Sequence, residues 1–192
     1  MKVIQIRGSG GAGKTTTCRQ FIINNGLKCV EIPIVGEKGA KSYIMKSPDN
    51  QVVVLGRYDR KIGGCDLFNN RKQVFDVILW VIRNIKARVI IFEGLIYSSG
   101  KFAVDMCEEV KKHGYEYVGI TLATPPTVAL KRLYRRNGGS PINESNVYAK
   151  YKQVISLHDR LIKSGYTDYL IDTSNIPINE MHKTLERVVN ER

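Results

Sequence analysis

Residues 8–15 read Gly-Ser-Gly-Gly-Ala-Gly-Lys-Thr, a complete GxxxxGK[ST] pattern directly after the apolar run from Met1 to Arg7. That pattern constrains the local fold to a strand, a glycine-rich loop and a helix, here Thr15 to Asn24. Glycines let backbone N–H groups turn inward, and the helix directs the positive end of its dipole at the same point, which makes an anion site. Lys14 is placed to reach the β- and γ-phosphates of a nucleoside triphosphate, and the Thr15 hydroxyl to ligate Mg²⁺. An ordinary strand-to-helix turn needs neither residue. The cofactors expected are ATP and Mg²⁺, held by Gly8, Ser9, Gly10, Gly11, Ala12, Gly13, Lys14, Thr15 and Thr16.

Beyond the loop, apolar strands and amphipathic helices alternate, as in a three-layer α/β P-loop NTPase fold around a parallel central sheet. Ser42–Met45 and Gln51–Leu55 flank the turn residues Ser47-Pro48-Asp49-Asn50, which predicts a small β-hairpin insertion. Val74, Val77, Ile78, Val81, Ile82 and Ile85 mark one face of a helix over Arg71 to Lys86. The continuously apolar Val89-Ile90-Ile91-Phe92 suits a buried central strand. With 192 residues and 43% hydrophobic content, the expectation is one kinase-like domain over 1–192. Strand order is not legible in this pattern.

Composition narrows the class further. Cys18, Cys29, Cys65 and Cys107 are scattered without the spacing of a zinc site or a disulfide framework, so they read as reduced thiols. The N-terminus reads as a strand rather than a signal peptide, and no apolar run approaches the ~20 residues of a membrane span. A soluble cytoplasmic protein is expected. Lys and Arg number 30 against 18 Asp and Glu, a net charge of +12. A small-metabolite kinase does not need that excess, whereas a polyanion such as DNA or RNA is a natural partner for it. The cations cluster at Arg57, Arg60, Lys61, Arg71 and Lys72, at Lys131, Arg132, Arg135 and Arg136, and at Lys150, Lys152, Arg160 and Lys163.

Three further segments carry chemistry. Glu93 ends the apolar strand and precedes Gly94; a carboxylate there faces the metal beside a phosphate loop, as a Walker-B-like acid that holds metal-bound water or serves as base. Residues 56–70 contain GRYDRKIGGCDLF, a mixture of Asp, Arg, aromatic and Gly that suits a substrate loop. Asp59 and Asp66 are its candidate bases, Arg57 its candidate for a substrate phosphate, and Tyr58 and Phe68 its candidates for stacking on a base. Residues 132–145, with Arg132 and Arg136 one turn apart, occupy the place of a kinase lid whose arginines stabilise the transferring phosphoryl group. Ile171-Asp172-Thr173-Ser174 ends the last strand like the loop beside adenine in small kinases, which places Thr173 and Arg132 near the nucleotide.

Taken together, the phosphate loop, GRYDRKIGGCD, the IFEG strand end, LKRLYRRNGG and IDTS resemble the bacteriophage P-loop kinases that phosphorylate 5-hydroxymethyluracil within DNA. The resemblance spans nearly the whole chain. It implies transfer of the ATP γ-phosphate to the hydroxymethyl group of a modified pyrimidine already in DNA, a step in phage base hypermodification. A base inside a duplex must be extruded to reach such a site, and a basic surface favours that work. Alternatives are a kinase of free deoxynucleosides or nucleoside monophosphates, a polynucleotide 5′-hydroxyl kinase, and an NTPase of the switch or partitioning class. The last lacks support: position 9 is Ser where partitioning ATPases carry a second lysine, and there is no NKxD motif. Oligomeric state, and which of Asp59, Asp66 and Glu93 takes the proton, stay open.

Overall fold

The structure is a computed structural model that describes residues 1–35, 41–58, 64–65, 68, 70–94, 100–177 and 180–191. Seven strands form one sheet in the order β2-β3-β4-β5-β1-β6-β7. They are β1 Lys2–Gly8, β2 Lys28–Val35, β3 Lys41–Lys46, β4 Val52–Leu55, β5 Val89–Glu93, β6 Glu116–Leu122 and β7 Thr167–Ile171. Strands β4 to β7, with β1, pair in parallel, and β3 runs antiparallel to both β2 and β4. The expected hairpin between β3 and β4 is present, and both arms belong to the main sheet.

Helices cover both faces. On one side lie α2 Arg71–Asn84, α3 Gly100–Lys112 and α5 Glu144–Lys163; on the other lie α1 Lys14–Asn24 and α6 His182–Asn190. The apolar stripe of α2 is buried as its spacing predicts, with Val74, Val77, Ile78 and Val81 fully enclosed. Each such side chain removed from water contributes roughly 1.5–3 kcal/mol. Asn70, at the end of the substrate loop, caps this helix by accepting from the Gln73 N–H at 2.8 Å. Strand β1 lies between β5 and β6 in the interior of the sheet, so the phosphate loop emerges from a buried parallel strand.

The helix α4, Pro126–Arg136, lies over the phosphate loop itself. A Cβ at Gly11 would come within 2.5 Å of the Ala129 carbonyl, and φ at that residue is +78°. Ala129, Leu130 and Leu133 of α4 make a separate small core with Val147 of α5. This small core joins α4 to α5, whose Leu157 and Leu161 belong to the main core on the sheet. Among the described residues, no helix is long and apolar enough to cross a membrane. All four cysteines are thiols; Cys29 is exposed and the other three are buried.

Candidate active site

The C-terminal ends of the parallel strands converge at one edge of the sheet, where α/β folds carry their ligand sites. Gly8 follows from β1, Glu93 from β5, Gly56 from β4 and Thr173 from β7. The β1–β5 register pairs Ile6 with Glu93, which brings the acid beside the loop. Gly13 adopts φ +97° at the start of α1, a conformation that glycine takes without a Cβ penalty. The Lys14 ammonium donates to the carbonyls of Gly8 at 2.9 Å and Ser9 at 3.2 Å. Thr15 Oγ1 donates to Glu93 Oε2 at 3.1 Å, and Glu93 is buried.

Behind this pair, the Cys18 thiol is pushed well above its ordinary value, first by burial and then by the Glu93 carboxylate. Burial likewise raises the Tyr58 phenol. Both groups are therefore neutral, and they line the acid with uncharged surface.

The loop after β4 meets the same acid. Gly64 bridges Arg57 in antiparallel fashion, its N–H donating to the Arg57 carbonyl at 2.7 Å. A Cβ on Gly64 would overlap Glu93 Oε1 and come within 3.0 Å of the Tyr58 hydroxyl. Its φ of +73° also disfavours any other residue. Gly64→Ala is therefore expected to displace the carboxylate or the loop and to lower kcat by about 10²-fold, with KM for ATP nearly unchanged. Steady-state kinetics check this, and an unaltered kcat would show that the contact is dispensable.

Several expected site residues stand elsewhere. Asp59 and Asp66 lie outside the described residues. Tyr58 and Phe68 are buried, Tyr58 with Cys18 and Val54 on one face of the sheet and Phe68 with Val74 on the other. Neither presents a ring for stacking on a base: aromatic rings in a glycine-rich loop gain more from the core beneath it than from solvent. Thr173 is also buried, bonded to the Thr124 hydroxyl, so its side chain anchors the loop after β7. Arg132 donates to the Thr173 carbonyl at 2.8 Å and thereby ties α4 to that loop. Arg136 is exposed, with Nε donating to Asn137 Oδ1 at 3.4 Å.

Sequence reasoning missed a buried polar network beneath the site. Arg7, fully enclosed, pairs with Asp168 and donates to Tyr117 Oη at 2.8 Å, Thr121 Oγ1 at 3.0 Å and Gln5 Oε1 at 3.1 Å. Thr121 also donates to Asp168, and His158 Nδ1 of α5 lies 3.1 Å from Asp168 Oδ2. Gln5 Nε2 donates to the carbonyl of Gly94 at 3.4 Å, next to the acid. Gly119 makes room, because a Cβ there would overlap both Arg7 and Asp168. An arginine beside Gln5 in a strand otherwise built on Val3, Ile4 and Ile6 was the available signal.

The chain matches known proteins over most of its length. Residues 2–183 match the family model described as 5-hmdU DNA kinase. The chain is 27% identical over 172 residues to the 5-hmdU DNA kinase of Pseudomonas phage M6, covering 87% of this chain and 89% of that protein. It is 25% identical over 171 residues to the one from Pseudomonas phage PaMx11, covering 85% and 87%. Its fold resembles the Deinococcus radiodurans tunicamycin resistance protein, with a TM-score of 0.52 at 15% identity over 100% of this chain and 97% of the other. With a complete phosphate loop, a strand-end acid and a family match over nearly its whole length, the chain is a phosphotransferase that belongs to the 5-hmdU DNA kinase family.

Proposed function

We propose that this enzyme transfers the γ-phosphoryl group of ATP to the hydroxymethyl oxygen of 5-hydroxymethyluracil within DNA. The observation that carries the reading is the junction at Glu93, where the phosphate loop, through Thr15, and the loop after β4, through Gly64, meet one buried carboxylate. Phosphoryl transfer asks for little beyond positioning and charge. Loop N–H groups and Lys14 hold the β- and γ-phosphates. Arg132 and the loop at Thr173 sit on the β7 side, beside the nucleoside of ATP, and Arg136 follows on α4. The acceptor alcohol approaches from the β4 side, attacks the γ-phosphorus, and the bond to the β–γ bridging oxygen breaks to release ADP. Its proton passes to a carboxylate: Glu93 at the junction, or Asp59 or Asp66 of the substrate loop.

Thr15 and Glu93 fit a hard cation, since they offer a hydroxyl and a carboxylate on converging oxygens. Among the described residues there is no group of three or more His, Cys, Asp or Glu that would form an all-protein cage, and Mg²⁺ prefers one or two protein ligands with phosphate and water. Bound there, Mg²⁺ supplies charge neutralisation at the β- and γ-oxygens.

The test is transfer of label from γ-³²P-ATP to three acceptors: duplex DNA with internal 5-hydroxymethyluracil and blocked ends, unmodified DNA with free 5′-hydroxyls, and free nucleosides and monophosphates. Label in the modified, end-blocked duplex alone is expected. Label confined to 5′ ends or to small molecules would overturn the reading.

A further inference from the structure

The order of strands divides the catalytic edge into two sides. From the phosphate loop on β1, the β6 and β7 side leads to Arg132 and the Thr173 loop. The β5, β4 and β3 side leads past Glu93 and Gly64 to Arg57 and then to Tyr43. In-line transfer requires the acceptor opposite the leaving ADP, so the acceptor strand must lie along this second side. Among the described residues, Arg57 stands next to Gly64 on this side, and the two backbones are bridged.

Arg57 is held in an unusual way. Its guanidinium lies over the Tyr43 ring, 4.5 Å from the ring centre, and both residues are half-buried. The Tyr43 carbonyl accepts the Gly56 N–H at 2.9 Å, and neighbouring Ser42 accepts from the buried Gln73 side chain at 3.2 Å. The backbone that carries the ring is thus held by the residue after β4 and by α2. A guanidinium stacked on an aromatic face loses rotamer freedom in advance while its planar N–H edge still matches a phosphate. With one face covered by Arg57, the Tyr43 ring braces a cation on that face rather than receiving a base.

We infer that Arg57, braced on Tyr43, binds a backbone phosphate of the acceptor strand beside the modified nucleotide, and that Tyr43 is a positioning residue acting through Arg57. The inference rests on DNA being the acceptor. It gives one specific place to the net charge of +12, and it fixes the strand so that the extruded base reaches Glu93.

The test is binding of a fluorescent duplex containing internal 5-hydroxymethyluracil, followed by anisotropy as NaCl is varied, with wild type, Arg57→Gln, Tyr43→Leu and Tyr43→Phe. Each phosphate contact contributes close to one unit to the slope of log Kd against log salt. Arg57→Gln is expected to weaken binding about 10-fold and to lower the slope by about one. Tyr43→Leu should weaken binding about 3-fold and lower the slope in the same direction, while Tyr43→Phe retains both values. KM for ATP and the melting temperature should hold in all three variants. A slope unchanged in Arg57→Gln, or a Tyr43→Leu that loses melting temperature with no change of slope, would overturn the inference and leave the pair as edge packing. Transfer is read in parallel: normal transfer by wild type with unchanged variant slopes defeats this inference alone. Altered slopes without transfer to the modified base would support the phosphate contact and defeat the proposed acceptor instead.

Discussion

Lys14→Ala is expected to lower kcat for phosphoryl transfer by at least about 10²–10³-fold, the scale seen when one preorganised charge-stabilising donor is removed. The ammonium lies on the rim of the phosphate loop, on the Gly8 and Ser9 carbonyls. From there its reach covers the oxygens on which charge grows as the β–γ bond opens. Among the described residues, Arg132 is engaged with the Thr173 loop and Arg7 is enclosed in the core, so neither stands in for Lys14. Loss of the side chain costs the loop two partly buried hydrogen bonds, about 1–2 kcal/mol of stability. The fold should therefore persist. Steady-state kinetics with circular dichroism on the same preparation check both halves, and retained turnover would remove the loop from the mechanism.

The second large effect concerns stability. Asp168→Ala strips the partner from a fully enclosed arginine, and breaking a buried pair by removing one member costs about 3–5 kcal/mol. Arg7 keeps Tyr117, Thr121 and Gln5, yet none of these carries a compensating negative charge. Burial raises the Tyr117 phenol, so that group stays neutral across the working range of pH. Replacing both residues by apolar ones of similar volume, Arg7→Met with Asp168→Leu, should recover a large part of the loss. Denaturant midpoints measure this, and an Asp168→Ala variant within about 1 kcal/mol of wild type would show that the network bears little of the stability. Because Gln5 of this network donates to the Gly94 carbonyl, the single variant should also lower kcat.

What could be read in the sequence was whatever depends on neighbours along the chain. The phosphate loop, its flanking strand and helix, and the apolar stripe of α2 are local patterns, and they stand where expected. Glu93 was legible because a carboxylate at the tip of an apolar strand needs a partner, and Thr15 is there. Tyr58 and Phe68 misled because loop composition suggests exposure, whereas both rings are buried, and Gly56 and Gly64 approach so closely that a Cβ on Gly56 would overlap Gly64. Arg132 showed its charge but not its target, which lies 41 residues away. The Arg7–Asp168 pair, separated by 161 residues, and the Tyr43–Arg57 stack depend on strand order. Periodicity alone does not contain that information.

The central claim is that phosphate moves to an alcohol on a base inside a DNA strand. A ³¹P–¹H correlation spectrum of the product duplex tests it directly, after incubation with ATP of a duplex carrying a single internal 5-hydroxymethyluracil. A new phosphorus signal coupled to the two exocyclic methylene protons of that base is expected. A new signal coupled only to sugar 5′ protons, or none on the DNA while ATP is consumed, would contradict it.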